Sequence, residues 1–230
     1  MGYNIQGTEN IRYFYDALTN GQVAQMSGGK IPQMSPEQAS GLVGSWIVET
    51  GQPGLQNLDV VEQNAEAGRG LSQYTGARRD AYDAARAQAQ AQGIDPNSPD
   101  WQLKYFVDEY NGKHDTNGAS LIGYTKVFEN APKTGTAQQF ADYYTGSAAS
   151  GSGYFRPGVP HTNKRMDSAS QVYKIYATPA RPPAGAASAG TRPQTAPAVK
   201  PVPVVAPRNQ FQPGIQSPKN LFQNLTIPFQ

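Results

Sequence analysis

Ser35-Pro36-Glu37-Gln38-Ala39-Ser40-Gly41-Leu42-Val43-Gly44-Ser45-Trp46-Ile47-Val48-Glu49-Thr50-Gly51 carries a helix with both of its ends marked. Ser35 offers an N-cap hydroxyl, Pro36 suits the first helical position, and Gln38 completes a capping box. Leu42, Val43, Trp46 and Ile47 recur at helical spacing, and Gly51 suits a C-terminal stop. The spacing predicts an apolar helix that ends at Thr50 and carries a single glutamate, Glu49, on its last turn.

Working outward, Ser98-Pro99-Asp100 opens a second helix with Trp101, Tyr105, Phe106 and Tyr110 along it. Gly76 to Gln92 reads as an alanine-rich helix closed by Gly93, and weaker helical patterns cover 9–19, 136–145 and 163–177. Between Thr50 and Leu71 no helical period appears and turn residues are frequent. No internal repeat is evident. The expected fold class is mainly α, of an α+β kind, with a small β or irregular lobe after the Glu49 helix.

Chemistry changes sharply near Thr178. Residues 1–178 hold all 17 acidic residues and 14 of the 19 basic ones, whereas 179–230 hold five basic residues and no acid. The same segment contains 11 of the 19 prolines. Pro and Ala at that density bury too little apolar surface to offset chain ordering, so an extended tail reaching roughly 150 Å, at about 3.1 Å per residue, is expected. Two units follow: a domain over 1–178 and a Pro-rich basic tail over 179–230.

Cysteine is absent and there are two histidines, His114 and His161. Disulfides and thiolate chemistry are thereby excluded, and no metal and no cofactor is predicted. The first residues lack the basic and apolar regions of a secretory signal, and no stretch approaches 18 apolar residues, so no membrane span is expected.

Glu49 lies three residues after Trp46 and seven after Leu42, on or beside the apolar stripe. Burial there, and the negative end of the helix dipole, would both favour its protonated form. A carboxylic acid kept protonated near neutral pH is what glycosidic cleavage needs at the departing oxygen. On composition alone the commoner case is a solvated glutamate at a helix end. Gly68-Arg69-Gly70-Leu71-Ser72-Gln73-Tyr74-Thr75-Gly76-Ala77-Arg78-Arg79 changes that balance. A Gly-Leu-x-Gln segment some twenty residues after a helix-borne Glu resembles a signature of soluble lytic transglycosylases and goose-type lysozymes, in which it forms a strand lining the cleft.

The combination most resembles the phage tail lysozyme domain, whose pattern runs Gly-x-x-Gly-Asn, then Glu-Ser-Gly, then Gly-x-x-Gln-aromatic-Thr-Gly-x-Arg. Here it reads Gly41-Leu42-Val43-Gly44-Ser45, then Glu49-Thr50-Gly51, then Gly70 to Arg78. The resemblance extends to Trp101–Phe106, Phe128–Pro132 and Arg165–Ala169, and covers roughly residues 8–177. Ser45, Thr50 and Tyr74 stand where the family pattern has Asn, Ser and Trp.

The resemblance implies a virion-associated peptidoglycan hydrolase, made in the host cytoplasm and acting on the β-1,4 bond between N-acetylmuramic acid and N-acetylglucosamine during genome entry. Glu49 would be the general acid. Gln73 would bond a sugar acetamido group or a bridging oxygen, unless it is a buried residue bonding the backbone. Ser72 would face the sugar, although strand alternation turns it away if Gln73 points in. Tyr74 would offer a stacking face or pack internally. Arg78 and Arg79, cations at a helix N-terminus, hint at packing against the cleft or at an acidic partner, although the commoner case is arginines snorkelling on a solvated face. Asp59, Glu62 and Glu66 are the nearest candidates by chain order for the base of an inverting hydrolase, a role that needs about 6.5–9.5 Å between carboxyls, although none has a motif behind it and the commoner case for each is a surface charge. Without such a partner, a transglycosylase route becomes more attractive.

Phe211, Leu221, Phe222, Leu225, Ile227 and Phe229 give the tail an apolar end that a mere spacer does not need. They are expected to anchor residues 179–230 on other phage virion proteins. Five charges in that segment are too sparse for specific nucleic-acid binding. A competing class is a non-catalytic virion adaptor with a lysozyme-like fold. A cellular lytic transglycosylase fits the tail and the N-terminus less well.

Overall fold

The computed structural model describes residues 3–5, 7–62, 68–114, 126–146, 153–155, 157 and 159–177. The chain divides into two units, Met1–Pro183 and Ala184–Gln230, and every described element lies in the first. The six apolar anchors expected in the tail, and Glu66, lie outside the described residues.

Seven helices appear among the described residues: α1 (Glu9–Thr19), α2 (Gln22–Met26), α3 (Pro36–Thr50), α4 (Gly76–Ala91), α5 (Pro99–Tyr110), α6 (Ala137–Thr145) and α7 (Thr162–Tyr176). The fold is mainly α with a small irregular lobe, as the sequence predicts. The short α2 has no counterpart in the sequence reading; it starts from a left-handed Gly21 and has no side-chain cap.

Helix α3 is the axis of the domain. Ser35 Oγ accepts from the Gln38 backbone N–H at 3.2 Å, and Gln38 Oε1 accepts from the Ser35 N–H at 2.9 Å, so the capping box closes. Gly51, at φ 66°, turns the chain out of the helix in the left-handed conformation. Residues 38–47 are buried all round, a finding beyond the expected single stripe. The reason is the company the helix keeps: α1, α6 and α7 all pack on it.

Glycines make that crowding possible. A Cβ on Gly41 would lie 2.6 Å from Phe140 Cβ, and one on Gly44 would lie 2.4 Å from the Ala169 backbone N. Backbone therefore meets backbone where α3 touches α7, with Ala137, Ala141 and Ala169 completing a layer of small residues. On the other side the contacts are large and aromatic. Trp46 is fully buried between Phe14 and Phe106, with ring centroids 5.4 and 5.2 Å away, and Phe106 meets Phe128 edge-on. Truncating such a side chain costs about 3–5 kcal/mol.

The lobe between α3 and α4 is pinned rather than loose. Leu55, Leu58 and Leu71 are fully buried in the main core. Asn10 Nδ2 donates to Leu55 O at 2.7 Å, and Asn97 Oδ1 accepts from the Leu58 N–H at 2.7 Å. Among the described residues its β character is limited to antiparallel bridges between Val61 and Arg69 and between Arg69 and Tyr74.

Candidate active site

The last turn of α3 places Glu49 beside Arg165, 116 residues further along the chain. Arg165 Nη2 donates to Glu49 Oε1 at 2.8 Å, with side chains 2% and 11% exposed. Close packing at Gly44 brings the first turn of α7 within reach. A cation in that first turn is disfavoured by the helix dipole and needs an anion nearby. The rest of the guanidinium is also held: Nε donates to Pro160 O at 2.8 Å, Nη1 reaches Ser45 O at 3.5 Å, and Phe155 lies under it with its ring centroid 5.1 Å away.

Burial pushes the Glu49 carboxyl above its ordinary value. Arg165, with a smaller contribution from Arg78, pulls it back, while the negative charge of Glu62 adds to the rise. The net effect is upward, because taking a carboxylate out of water outweighs one hydrogen-bonded cation. The acid form of Glu49 thus persists to a higher pH than that of a solvated glutamate.

The Gly70–Gln73 segment departs from the expected strand. It is a tight turn closed by the Arg69–Tyr74 bridge, with Tyr74 N donating to Arg69 O at 2.8 Å and Gln73 N to Gly70 O at 3.1 Å. Gly70 takes φ +78°, and a Cβ there would strike the Tyr82 ring at 2.6 Å. Gln73 itself sits at φ 46°, in the left-handed region. Alternation along a strand therefore does not decide which side chain faces out.

Each expected sugar contact has a definite place in this turn. Gln73 Nε2 donates to Gly70 O at 3.0 Å and to Val60 O at 3.2 Å, so its amide bonds the backbone, while Oε1 accepts no hydrogen bond among the described residues. Ser72 is 2% exposed; its hydroxyl accepts from Trp46 Nε1 at 2.9 Å and is hydrogen-bonded with Tyr154 OH at 3.2 Å. Tyr74 is fully buried, stacked on Tyr82 at 5.0 Å and covered by Arg78 at 5.0 Å. Ser72 and Tyr74 hold the turn from behind instead of presenting a surface, because Ser72 turns in toward Trp46 and Tyr154 and Tyr74 toward Tyr82 and Tyr105.

Arg78 finds its acidic partner in Glu109. Nε and Nη2 reach the two carboxyl oxygens at 2.5 and 3.0 Å, and Tyr154 OH donates to Glu109 Oε2 at 2.9 Å. Trp46, Ser72, Tyr154, Glu109 and Arg78 thus form one buried hydrogen-bonded chain behind the turn. Arg79 pairs instead with Asp83 one turn along α4. Tyr144 packs in the core, and Tyr143 donates to Val127 O.

The candidate base residues separate clearly. Asp59 accepts two hydrogen bonds from Arg69, both at 2.9 Å, one from Arg86 at 2.7 Å and one from Tyr82 OH at 2.9 Å. Burial works against its charge, but these donors prevail and hold the carboxyl below its ordinary value. Asp59 is therefore neither a free base nor a simple surface charge; it ties the turn to α4. Glu62 is exposed, accepts from Gly68 N at 3.4 Å, and lies near enough for its charge to act on Glu49.

Arg165 and Glu109 escaped the sequence reading as site residues. A signal existed for each. Arg165 is a cation in a helix's first turn, the anomaly that did draw attention to Arg78. Glu109 falls on the apolar side of α5 between Phe106 and Tyr110.

A helical domain with a largely covered glutamate in the last turn of its central helix, followed by a Gly-x-x-Gln turn, is the arrangement on which comparison with known families bears. The family model for phage tail lysozyme matches residues 19–176, from the last residue of α1 to the last of α7. The chain belongs to the phage tail lysozyme family. Membership makes it a phage-associated, lysozyme-like protein and suggests peptidoglycan as the substrate. No curated protein matches the chain. No helix of the described residues is long and apolar enough to cross a membrane.

Proposed function

We propose that the chain is a glycosidase of bacterial peptidoglycan, cutting the β-1,4 bond between N-acetylmuramic acid and N-acetylglucosamine with Glu49 as general acid. The observation that carries this reading is the state of Glu49. It ends the family's Gly-x-x-Gly helix, keeps 11% of its side chain exposed, and has its proton affinity raised by burial. Protonated Glu49 would give its proton to the glycosidic oxygen as the bond to C1 breaks. In hydrolysis, a second carboxylate removes a proton from the water that adds to C1. In transglycosylation, the C6 hydroxyl of the muramic sugar closes on C1, and Glu49 recovers the proton from it. Asp59 is bound by three donor residues, which leaves Glu62 and Glu66 as the lobe's candidates for a hydrolytic base and adds weight to the transglycosylase route.

Gln73 Oε1 is the acceptor we assign to a substrate N–H. Ser72 and Tyr74 act indirectly, by fixing the turn. Residues 179–230, with Phe211, Leu221, Phe222, Leu225, Ile227 and Phe229, would dock on another virion protein and deliver the domain to the wall during genome entry.

A second reading, a non-catalytic virion adaptor, draws on the burial of Ser72 and Tyr74, which removes two expected sugar contacts. Release of soluble muropeptides from purified peptidoglycan by wild type and Glu49→Gln separates the two. A loss of at least about a hundredfold in the variant supports the glycosidase. Products with 1,6-anhydro ends by mass identify transglycosylation. A folded but inert wild type, or an equally active variant, refutes the assignment of Glu49 and leaves the adaptor.

A further inference from the structure

The Glu49 carboxyl is held asymmetrically. Oε1 takes the Arg165 Nη2–H bond, whereas Oε2 accepts no hydrogen bond among the described residues. Arg165 is itself immobilised at every part of its head group, by Pro160 O, Ser45 O, Glu49 and the Phe155 ring. Such a side chain has no freedom to follow its partner. The carboxylate must settle against it.

We infer that Arg165 is the positioning residue for Glu49, fixing Oε1 so that Oε2 is the oxygen that exchanges the proton with substrate. The inference rests on the reading of Glu49 as the acid. Its geometry is over-determined in the way a general acid requires, since misplacement by about 1 Å can cost a hundredfold in rate. A fork donor is needed: Nη2 serves the carboxyl while Nε and Nη1 anchor the same plane to two carbonyls, and a lysine ammonium cannot reproduce that planar spread. The path of causation runs through Gly44, whose missing Cβ lets α7 approach α3 closely enough for the pair to form.

Charge has a second consequence. The charged groups that act on Glu49 are Arg165 from α7, Arg78 from α4 and Glu62 from the lobe. Of these, only Arg165 touches it. Removing that cation withdraws stabilisation from the carboxylate, so the acid form would survive to higher pH. Replacing it with lysine keeps the charge and loses the fork.

The test uses the full chain as wild type, Arg165→Lys, Arg165→Gln and Glu49→Gln. It measures kcat and KM across pH on soluble peptidoglycan fragments, together with the carboxyl carbon-13 titration of Glu49. For Arg165→Lys the expected result is a fall in kcat of about ten- to a hundredfold, KM within about threefold, and an alkaline limb that stays in place. For Arg165→Gln the fall is accompanied by an upward move of that limb and of the Glu49 titration. A merely structural role would lower the yield of active protein without moving either. Wild-type kcat and KM in Arg165→Lys overturn the inference, as does an unmoved limb and titration in folded Arg165→Gln. Should Arg165→Gln fail to fold, the kcat of Arg165→Lys decides alone. Loss of activity in Glu49→Gln with none in the Arg165 variants sinks the positioning role and spares the glycosidase; an inert wild type sinks both.

Discussion

Two carboxyls, one in the last turn of α3 and one in the lobe that follows it, have opposite fates. Glu49, at the end of α3, has one hydrogen-bonded cation and a proton affinity raised by burial. Asp59, in the lobe, has four hydrogen bonds from Arg69, Arg86 and Tyr82 and a lowered one. Their side chains are almost equally covered, 11% and 12% exposed, but Glu49 lies deeper in the protein, so the two differ both in depth and in the number of donors. With one donor the desolvation penalty still dominates and the proton is held more tightly; with four it is overcome and the group becomes a fixed anchor.

The sharpest way to break this comparison is to neutralise both groups in turn. Glu49→Gln should cost about a hundred- to ten-thousandfold in muropeptide release while leaving the fold intact, checked by circular dichroism alongside the assay. Asp59→Asn should do the reverse: a loss of about 3 kcal/mol in urea denaturation at pH 7, because Arg69 and Arg86 lose a shared buried partner. Any residue of activity in that variant should keep the wild-type pH profile.

The pH dependence of the two stability changes should have opposite signs. The lowered folded value of Asp59 contributes stability that is present above the unfolded value of about 3.9 and is lost as pH falls through the folded value. The deficit of Asp59→Asn should therefore shrink toward pH 3. The raised folded value of Glu49 works the other way. Below about 4.3 it costs nothing, and the cost grows as pH rises through the folded value, so Glu49→Gln should gain stability relative to wild type toward neutral pH. Denaturation series from pH 3 to 8 would show parallel curves if the comparison is mistaken.

Smaller effects sharpen it further. Gly44→Ala forces a methyl to within 2.4 Å of the Ala169 backbone N, so α7 must shift and carry Arg165 away from Glu49. About 1–3 kcal/mol of stability should go, and kcat should fall more than KM changes. Ser72→Ala should cost about 1–2 kcal/mol by leaving the Trp46 indole N–H without its acceptor, with little change in KM, because the hydroxyl faces inward. A large KM increase in Ser72→Ala would show instead that the residue reaches substrate.

The helices were legible in the sequence wherever a local device marks them. Ser35, Pro36 and Gln38 begin α3, Gly51 ends it, and Ser98 and Pro99 begin α5. Capping and periodicity act over three or four residues, so they can be read along the chain. Glu49 was legible for the same reason, as the carboxyl in the last turn of an apolar helix. The Gly70–Gln73 segment was harder. Its residue types can be read along the chain, but its conformation depends on Tyr82 filling the space beside Gly70 and on Gln73 accepting a left-handed φ, both settled from outside the segment.

By itself, then, the sequence determined the helical class of the domain, the ends of its central helix, and the glutamate placed at the last turn. Which carboxyl holds its proton more tightly was settled by tertiary contacts. That outcome depends on Arg165 meeting Glu49 across 116 residues and on Arg69, Arg86 and Tyr82 converging on Asp59. Proton affinity follows from the sum of burial and nearby charge in three dimensions, and neither has a period or a spacing along the chain.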